Sequence, residues 1–262
     1  MTSLRNIKRY IWILKNFKQS FGLIKNLRSG GLLADGPPLA EAKFRNGQRI
    51  QHPPHRAGLI GTILEIWYEN DYRIGSFYTP QKGDTIIDIG AHVGLFSLFI
   101  AKQQAECEVI SIEASHENYP CLESNVKGTE NIKAHHLAVG AEPGWIKMLI
   151  KTNRSIDAQV CSAEKGEDGA TEVVTLEHIM SFSDNERISL LKMDIEGAEY
   201  PIFKSIKDST LSKIDRLCME YHDNLKPGIL ALLKERLEPT HNLEIYPNGD
   251  SGHGMLFAKI KD

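Results

Sequence analysis

The chain has 262 residues, of which 41% are hydrophobic and 25% charged, and its formal net charge at pH 7 is −3. These values are ordinary for a globular protein, and the length suffices for one α/β core with an extension. A weakly acidic chain lacks the basic surface of a general nucleic-acid binder, so we expect no nucleic-acid partner. The four cysteines are far apart in the sequence, which fits reduced thiols in the cytoplasm better than a disulfide framework or a zinc site.

Residues 1–34 form a basic segment that contains seven lysines and arginines and no acid. Ile7, Leu14, Phe17, Phe21 and Ile24 recur in it at helical spacing, which predicts an amphipathic helix. Such faces pack more often on their own domain or on the partner in a homodimer than on lipid, so packing is the first expectation. The alternative is peripheral contact with the anionic inner surface of a membrane. No apolar run approaches the ~20 residues of a membrane span.

Residues 35–79 are predicted to be a linker followed by a cap, which is a segment that would cover a ligand-binding cleft of the main domain. Glycine and proline pairs punctuate the stretch from 30 to 56, as in a linker. The apolar and aromatic residues from Leu59 to Phe77 predict a short strand or helix that leads into the cap. Glu69, Tyr72 and Arg73 could close over a ligand there, or they could form a surface turn. The remaining residues, 80–262, form the predicted main domain.

The main domain opens with a strand, a tight turn and a helix at residues 84–98. An apolar run containing Asp88 precedes Gly90 and Gly94, and a helical apolar pattern follows. Many α/β proteins hold nucleotide-like cofactors with this geometry. The G-x-x-x-G spacing differs from the dinucleotide fingerprint, and Asp88 would repel a pyrophosphate while suiting a cationic ligand such as S-adenosylmethionine. NAD remains an alternative, as does a plain Rossmann-like turn that Asp88 caps.

Three later strands also end on polar residues. The strand at 108–113 ends on Glu113, where ribose hydroxyls are commonly bound, and a second acidic turn carries Asp194 and Glu196. Glu220 and His222 end the strand at 217–222 and lie two residues apart, on one face. Ligands of open α/β sheets sit outside the carboxyl ends of the strands. We therefore expect these side chains to form an acidic rim around one cleft.

The chain resembles the FkbM-type S-adenosylmethionine-dependent methyltransferases over about residues 63–260. The resemblance is carried by four segments: Asp88-Ile89-Gly90-Ala91-His92-Val93-Gly94, Ile112-Glu113-Ala114-Ser115, Leu191-Lys192-Met193-Asp194-Ile195-Glu196-Gly197-Ala198-Glu199 and Met219-Glu220-Tyr221-His222. The most specific part is the Lys-x-Asp-x-Glu-Gly-Ala-Glu stretch of the third segment. The sequence departs from the usual family pattern at His92, where asparagine is usual, and at Ala114, where proline is common.

This resemblance implies an α/β fold of the Rossmann-like class I methyltransferase type, with a seven-stranded sheet that ends in an antiparallel C-terminal hairpin. The third strand is expected at Asn131 to Val139, with its end at the adenine. The implied cofactor is S-adenosylmethionine, and its expected binding residues are Asp88, Gly90, Ala91, His92, Gly94, Glu113, Ala114, Ala138 and Asp194. The implied reaction is O-methylation of a hydroxyl on a sugar, glycolipid or other metabolite, so the partner is a small-molecule or glycan acceptor.

A hydroxyl is a poor nucleophile until its proton leaves, so a positioned base is expected. His222 is the first candidate because its ordinary pKa is near neutrality. Glu220 or Glu196 could orient His222 or act as the base, and Asp194 completes the expected catalytic set. His222 could also be a strand-end residue that only borders the cleft.

Asp194, Glu196 and Glu220 could hold Mg²⁺ through oxygen ligands, but a sequence shows no ligand geometry, and no metal is predicted. Two other classes of function remain open. One is an NAD-dependent oxidoreductase, and the other is a Rossmann-like binding protein without catalytic activity.

Overall fold

The computed structural model describes residues 4–29, 39–150 and 158–261. The glycine- and proline-rich part of the predicted linker at 30–38 lies outside these residues. The helices are α1 Leu4–Asn16, α2 Ser20–Ser29, α3 Leu59–Ile63 with a π-helical turn Leu64–Glu69, α4 Leu95–Gln103, α5 Tyr119–Val126, α6 Leu176–Met180, α7 Glu199–Ser205, α8 Asp208–Leu211 and α9 Ile229–Leu237. The described residues contain no helix with the length and apolar character that a bilayer span requires.

The strands alternate with these helices through most of the chain. Their bounds are β1 Glu41–Lys43, β2 Arg49–Gln51, β3 Thr85–Ile89, β4 Glu108–Glu113, β5 Ile132–His136, β6 Ala138–Val139, β7 Gly144–Ile150, β8 Ala158–Ser162, β9 Ala170–Val174, β10 Leu190–Met193, β11 Arg216–His222, β12 His241–Pro247 and β13 His253–Ile260.

Seven strands form the main sheet, in the order β12-β13-β11-β10-β3-β4-β5. Strands β11, β10, β3, β4 and β5 pair in parallel, whereas β13 pairs antiparallel with both β11 and β12. The predicted Rossmann-like class I methyltransferase fold, with its antiparallel C-terminal hairpin, is therefore confirmed. The order places β3 and β10 side by side at the centre, so their carboxyl ends are adjacent.

Both faces of the sheet are buried, as continuous apolar strands of a parallel sheet require. Side chains alternate between the faces with period two, so Ile86 and Leu190 pack on one side and Ile87 and Leu191 on the other. Helices α1 to α5 contribute buried residues to the first side, and α6 to α9 contribute to the second. Two separate apolar cores thus fix the sheet between two helical layers.

The stretch predicted as a single third strand is divided between two sheets. Strand β5 ends at His136 and pairs with β4, and Ala138 begins β6, which joins a separate four-stranded sheet of order β6-β9-β7-β8. The other strands of the small sheet are β7, β8 and β9, which follow β6 in the chain. The chain therefore changes sheet one residue after His136, which the apolar pattern of the sequence did not indicate.

The N-terminal helices pack on the domain. Ile13 and Phe17 are fully buried, and the ring of Phe17 lies with its centroid 4.1 Å from that of Phe44. Phe44 follows β1, and β1 and β2 pair as a short antiparallel hairpin in which Ile50 is also fully buried. The described part of the predicted linker is thus an ordered segment that contributes to the core. As expected, one face of the N-terminal helices packs on their own domain.

Candidate active site

The carboxyl ends of four neighbouring strands, β3, β4, β10 and β11, meet at one edge of the main sheet. The loop after β3 is fixed to β4, because the backbone N–H groups of Gly90 and Ala91 both donate to the carbonyl of Ile112 at 3.0 Å. The backbone N–H of Asp194 donates to the carbonyl of Ile89 at 3.1 Å, which fixes the loop after β10 to β3. The expected cleft is therefore built from neighbouring loops held by backbone hydrogen bonds.

The two motif glycines are required by contacts within the protein. Gly90 has φ +74°, and a Cβ added there would lie 1.8 Å from the carbonyl oxygen of Asp194. Gly94 has φ +86°, and a Cβ there would lie 2.7 Å from Leu122 on α5. Gly90 lets the β3 loop pass the β10 loop, and Gly94 lets α4 approach α5. A side chain at Gly90 would therefore clash with the backbone of the β10 loop before it occupied any space for a ligand.

Asp88 lies in the interior beneath the cleft, which corrects its expected position on the ligand side. Its carboxylate is fully buried and accepts a hydrogen bond from Ser97 Oγ at 2.6 Å. The ammonium of Lys192 lies 3.1 Å from Asp88 Oδ1 and donates to the carbonyl of Gly90 at 2.8 Å. The physical reason is strand alternation: Asp88 faces the same layer as Ile86, and α4 covers that layer. Asp88 neutralises Lys192, and Lys192 holds the Gly90 turn.

Lys192 is buried beside carboxylates, and these set its charge state. Burial acts to lower the pKa of Lys192, but the carboxylates of Asp88 and Asp194 outweigh burial and raise it above its ordinary value. Lys192 therefore keeps its positive charge in the interior, where Asp88 is its partner.

Glu113, at the end of β4, joins the first two loops. It accepts hydrogen bonds of 2.8 Å from the backbone N–H groups of His92 and Ser115, and a longer one of 3.3 Å from the amide of Asn118. His92 has φ +53°, an uncommon conformation for a residue with a side chain, which this bond helps to hold. Burial raises the pKa of Glu113 to about 7. Three of the roughly four acceptor positions of a carboxylate are thus used, which leaves one for a ligand hydroxyl.

Two histidines pack together near this turn. The rings of His52 and His92 meet edge to face with centroids 5.4 Å apart. Burial lowers the pKa of His52 to about 4 and that of His92 to about 3, so neither imidazole carries a positive charge at neutral pH. His52 lies in the stretch from 30 to 56 that is predicted to be a linker, and no local sequence pattern indicates this contact.

Two of the expected cofactor residues, Ala114 and Ala138, lie in different parts of the fold: Ala114 follows β4, and Ala138 begins β6. The carbonyl of Ala114 accepts hydrogen bonds from Thr171 Oγ1 at 2.8 Å and from the ring of His136 at 3.2 Å, so it joins the β4 loop to the small sheet. Ala138 is buried in β6, within that small sheet. The ring of His136 stacks on Tyr119 with centroids 4.9 Å apart, so the loop beside the expected adenine position is lined by two aromatic rings.

His222, at the end of β11, lies among four carboxylates. Its Nδ1 is 3.1 Å from Glu199 Oε1, and its Nε2 is 3.3 Å from Glu196 Oε2 and 3.9 Å from Glu220 Oε1. Glu199 is fully buried at the start of α7, whereas Glu196 is exposed. The carboxylate of Asp194 is also close, because its oxygen, a Glu220 oxygen and a His222 ring nitrogen lie within 4.8 Å of one another.

The charges around His222 set its protonation. Burial acts to lower its pKa, but the hydrogen bond to Glu199 and the charges of Glu196 and Glu199 outweigh burial and raise the pKa to about 9. Burial and the charge of Asp194 raise the pKa of Glu220, while His222 opposes that change. The expected rim residues Asp194, Glu196, Glu220 and His222 are therefore brought together at one edge of the sheet, as their positions near strand ends predicted.

The segment before β3 contributes one side chain to the rim. Of the three cap residues considered from the sequence, Tyr72 donates a hydrogen bond from its hydroxyl to Asp194 Oδ2 at 3.3 Å. Glu69 instead binds Arg5 and Arg9 of α1, and Arg73 binds Glu244 of β12 at 2.8 Å. Glu65, on the π-helical turn, is a carboxyl that the sequence reasoning missed, and burial followed by the charges of Asp71 and Asp194 raises its pKa to about 7.

Glu199 is the other residue that sequence reasoning missed. Its signal was present, because it is the last acid of the Lys-x-Asp-x-Glu-Gly-Ala-Glu stretch and directly begins a helix. An acid at that position reads as an interaction with the helix N-terminus. Only the structure shows that its side chain reaches a histidine 23 residues later in the chain.

The rim fits a cationic ligand. Asp194 Oδ1 is buried without a hydrogen-bond partner among the described residues, and Asp194 and Glu196 add negative charge at the same edge. The sulfonium and ammonium groups of S-adenosylmethionine are positive, and Glu113 retains acceptor capacity for a ribose hydroxyl. The set Asp194, Glu220 and His222 also has ligand atoms of types that a divalent cation binds. The residues therefore fit the cofactor that the sequence predicted.

Comparison with known proteins agrees with this geometry. The family described as "Methyltransferase FkbM domain" matches residues 88–238, which is more than half of the chain. The chain is similar to methyltransferase 1 of Beauveria bassiana, at 22% identity over 66% of this chain and 77% of that protein. It is also similar to the 31-O-demethyl-FK506 methyltransferase FkbM of Streptomyces tacrolimicus, at 23% identity over 55% of this chain and 67% of that protein.

Among solved structures, the chain is similar to a precorrin-6y C5,15-methyltransferase from Geobacter metallireducens. The TM-score is 0.41 and the identity 11%, over 70% of this chain and 82% of that one.

Proposed function

Because this chain belongs to the FkbM family of S-adenosylmethionine-dependent methyltransferases, we propose that it methylates a hydroxyl of a sugar, a glycolipid or another metabolite. The observation that carries the proposal is the 3.1 Å contact between His222 Nδ1 and the buried carboxylate of Glu199, beside Asp194. A hydroxyl acceptor needs a base, and this pair provides one. The name of the Streptomyces tacrolimicus relative, a 31-O-demethyl-FK506 methyltransferase, supports oxygen as the methylated atom.

His222 is the proposed general base. Its Nδ1–H donates to Glu199, which leaves Nε2 as the atom that takes the acceptor's proton. Once His222 is protonated, Glu199 stabilises the imidazolium across a short distance in a buried environment. Glu199 is thus a positioning residue, because it fixes the ring and its charge without touching the acceptor.

The acids of the rim are proposed to bind and orient the cofactor. The bound cofactor supplies an electrophilic methyl group on a positively charged sulfur. Asp194 places negative charge at the edge where that group would lie, and the Tyr72 hydroxyl holds the Asp194 carboxylate. Alignment of acceptor and methyl donor contributes most of the rate when the donor is already reactive. The chain then has to position two ligands and remove one proton.

The test is a methyl-transfer screen with the full chain. Purified protein would be incubated with methyl-labelled S-adenosylmethionine and panels of sugars, glycolipids and hydroxylated metabolites, and products would be identified by mass spectrometry. We expect a labelled methyl ether and binding of S-adenosylmethionine by calorimetry. Parallel panels of amines and thiols show whether another atom type is preferred.

Two variants make the result specific. His222→Ala should retain cofactor binding and lose turnover, whereas Lys133→Ala, an exposed change far from the rim that breaks a surface ion pair with Glu108, should retain both. Methylation confined to amines or thiols would contradict the proposed acceptor. Binding of NAD in place of S-adenosylmethionine would contradict the proposed reaction.

A further inference from the structure

Helices α1 and α2 expose several large apolar side chains. Five such side chains are between 38% and 82% exposed, and we call them the outer face: Leu4, Ile7, Ile11, Leu14 and Phe21. The first four recur at intervals of three and four residues, so they form one stripe along α1. Phe21, on α2, is the most exposed of the five.

The outer face is distinct from the face that packs on the domain. Arg9 and Ile13 of α1 and Phe17 after it are buried, and Leu23 and Leu27 of α2 are buried too. The helix pair is therefore apolar on two sides, and only one of these sides is buried against the core. Large apolar side chains that are exposed together, as opposed to singly, mark an interaction surface.

Basic side chains surround the outer face. Residues 4–28 contain no acid and seven basic residues. Arg5, which is exposed, and Arg9, which is buried, bind the carboxylate of Glu69. The other five are exposed: Lys8, Lys15, Lys18, Lys25 and Arg28. The apolar stripe thus lies within a field of uncompensated positive charge, while the whole chain has a net charge of −3.

We propose that the outer face docks on an anionic lipid bilayer. The five apolar side chains would enter the boundary between headgroups and acyl chains, and the five basic residues would meet anionic headgroups. A second copy of this chain is a poorer occupant, because pairing two outer faces would bring ten like charges together. Charge complementarity therefore selects an anionic surface over self-association.

The docked helices connect directly to the candidate site. Glu69 ends the π-helical turn and holds α1 through Arg5 and Arg9, and Tyr72 follows three residues later and binds Asp194. Docking would confine the enzyme to the plane in which a glycolipid acceptor diffuses. The docking itself does not depend on the proposed reaction, since it concerns a surface that shares no residue with the rim.

The experiment is co-sedimentation of the full chain with unilamellar vesicles, without cofactor or acceptor. One set contains phosphatidylcholine alone, and the other contains about one third phosphatidylglycerol, each at about 0.1 M and about 1 M salt. We expect binding to the anionic vesicles at low salt, much weaker binding at high salt, and little binding to phosphatidylcholine.

Two variants separate the apolar and basic contributions. The double variant Ile11→Glu with Phe21→Glu should bind anionic vesicles at least about tenfold more weakly, since it removes insertion and adds two repelled charges. Lys8→Glu with Lys15→Glu should weaken binding similarly while leaving the apolar stripe intact. Leu225→Glu, an equally drastic change at an exposed leucine away from α1 and α2, is the control and should bind as the wild type does. Circular dichroism melts show that each variant is folded.

The opposing results are equally specific. Equal binding to both vesicle types, no binding to either, or unchanged binding of the two double variants would each overturn the proposal. Light scattering decides the remaining case: a dimer that Ile11→Glu with Phe21→Glu converts to a monomer, without vesicle binding, would show that a second copy covers the outer face.

Discussion

His222 Nδ1 lies 3.1 Å from Oε1 of Glu199, a carboxylate with no exposed surface. The contact joins the end of β11 to the start of α7, which lies 23 residues earlier in the chain. In the neutral imidazole it fixes the proton on Nδ1, and it turns Nε2 toward Glu196 and Glu220. A histidine in that arrangement suits proton removal better than a purely structural position at a strand end would.

His222→Ala should lower the rate of methyl transfer by about 10²–10⁴, the usual range for a lost general base. Cofactor affinity should change little, because Asp194 and Glu113 remain. Single-turnover transfer to the acceptor found in the screen measures the rate, and calorimetry measures the affinity. A variant that keeps the wild-type rate would make His222 structural and leave Glu196 or Glu220 as the base.

Glu199→Gln should shift the pH dependence of the reaction toward acid. The pKa of His222 is raised to about 9, so in the wild type the active, neutral imidazole accumulates and the rate rises from pH 7 toward that value. An amide in place of the carboxylate removes a negative charge, so the pKa falls toward its ordinary value and the plateau begins at lower pH. The maximum rate also falls, because the base is weaker.

Single-turnover rates from about pH 6 to about pH 10 measure this shift. Glu123→Gln, on the opposite helical layer, is the matched control and should keep the wild-type profile. An unchanged profile in Glu199→Gln would show that the carboxylate does not act through His222.

Gly90→Ala should destabilise the fold strongly. The added Cβ would lie 1.8 Å from the carbonyl oxygen of Asp194, at φ +74°, so the β3 and β10 loops would have to separate. We expect a loss of about 3 kcal/mol or more in the free energy of unfolding, measured by urea denaturation. Gly83→Ala is a matched control, because Gly83 has φ +81° and no atom within 4 Å of the added Cβ. Equal losses in the two variants would mean that φ alone explains the cost.

Lys192→Met should cost about 3–5 kcal/mol of stability, because it leaves the buried carboxylate of Asp88 without its cation. Lys82→Met, which removes an exposed ion pair with Glu106, should cost at most about 1 kcal/mol. The double variant Lys192→Met with Asp88→Asn should recover part of the loss, since no unpaired charge remains. Denaturation of the wild type, the two single variants Lys192→Met and Asp88→Asn, and the double variant gives the coupling between Lys192 and Asp88, and additive losses would contradict it.

Glu113→Gln should weaken S-adenosylmethionine binding by about 1–3 kcal/mol, the usual effect of losing a hydrogen bond to a charged group. Burial raises the pKa of Glu113 to about 7. In the wild type the ionised, accepting form is gained as pH rises through that value, so affinity should rise with it, and the variant should lack this rise. Glu108→Gln, at the other end of β4, is the control. Unchanged affinity in Glu113→Gln would exclude the carboxylate from the cofactor site.

Local patterns predicted the parts of the fold that depend on local physics. The strand-turn-helix at 84–98 follows from an apolar run and two glycines, and the C-terminal hairpin is implied by the resemblance to a methyltransferase family. Where the sequence reasoning failed, a residue's neighbours decided its structure. The end of the predicted third strand, Ala138, pairs with Val173 of the small sheet, a partner 35 residues away that no local pattern encodes.

The sequence by itself determined the order of strand ends and the acids that they deliver, because strand periodicity and glycine turns act over a few residues. Only the tertiary structure decided what each acid does. Asp88 and Asp194 each belong to a strand–acid–glycine pattern, yet Asp88 lies beneath α4 with Lys192, while Asp194 lies at the rim with Tyr72. Periodicity tells which side of a strand a residue faces, and the covering layer decides whether that side is interior or cleft. For the same reason α1 is apolar on two faces, and only packing shows that Ile13 is buried while Ile11 remains exposed.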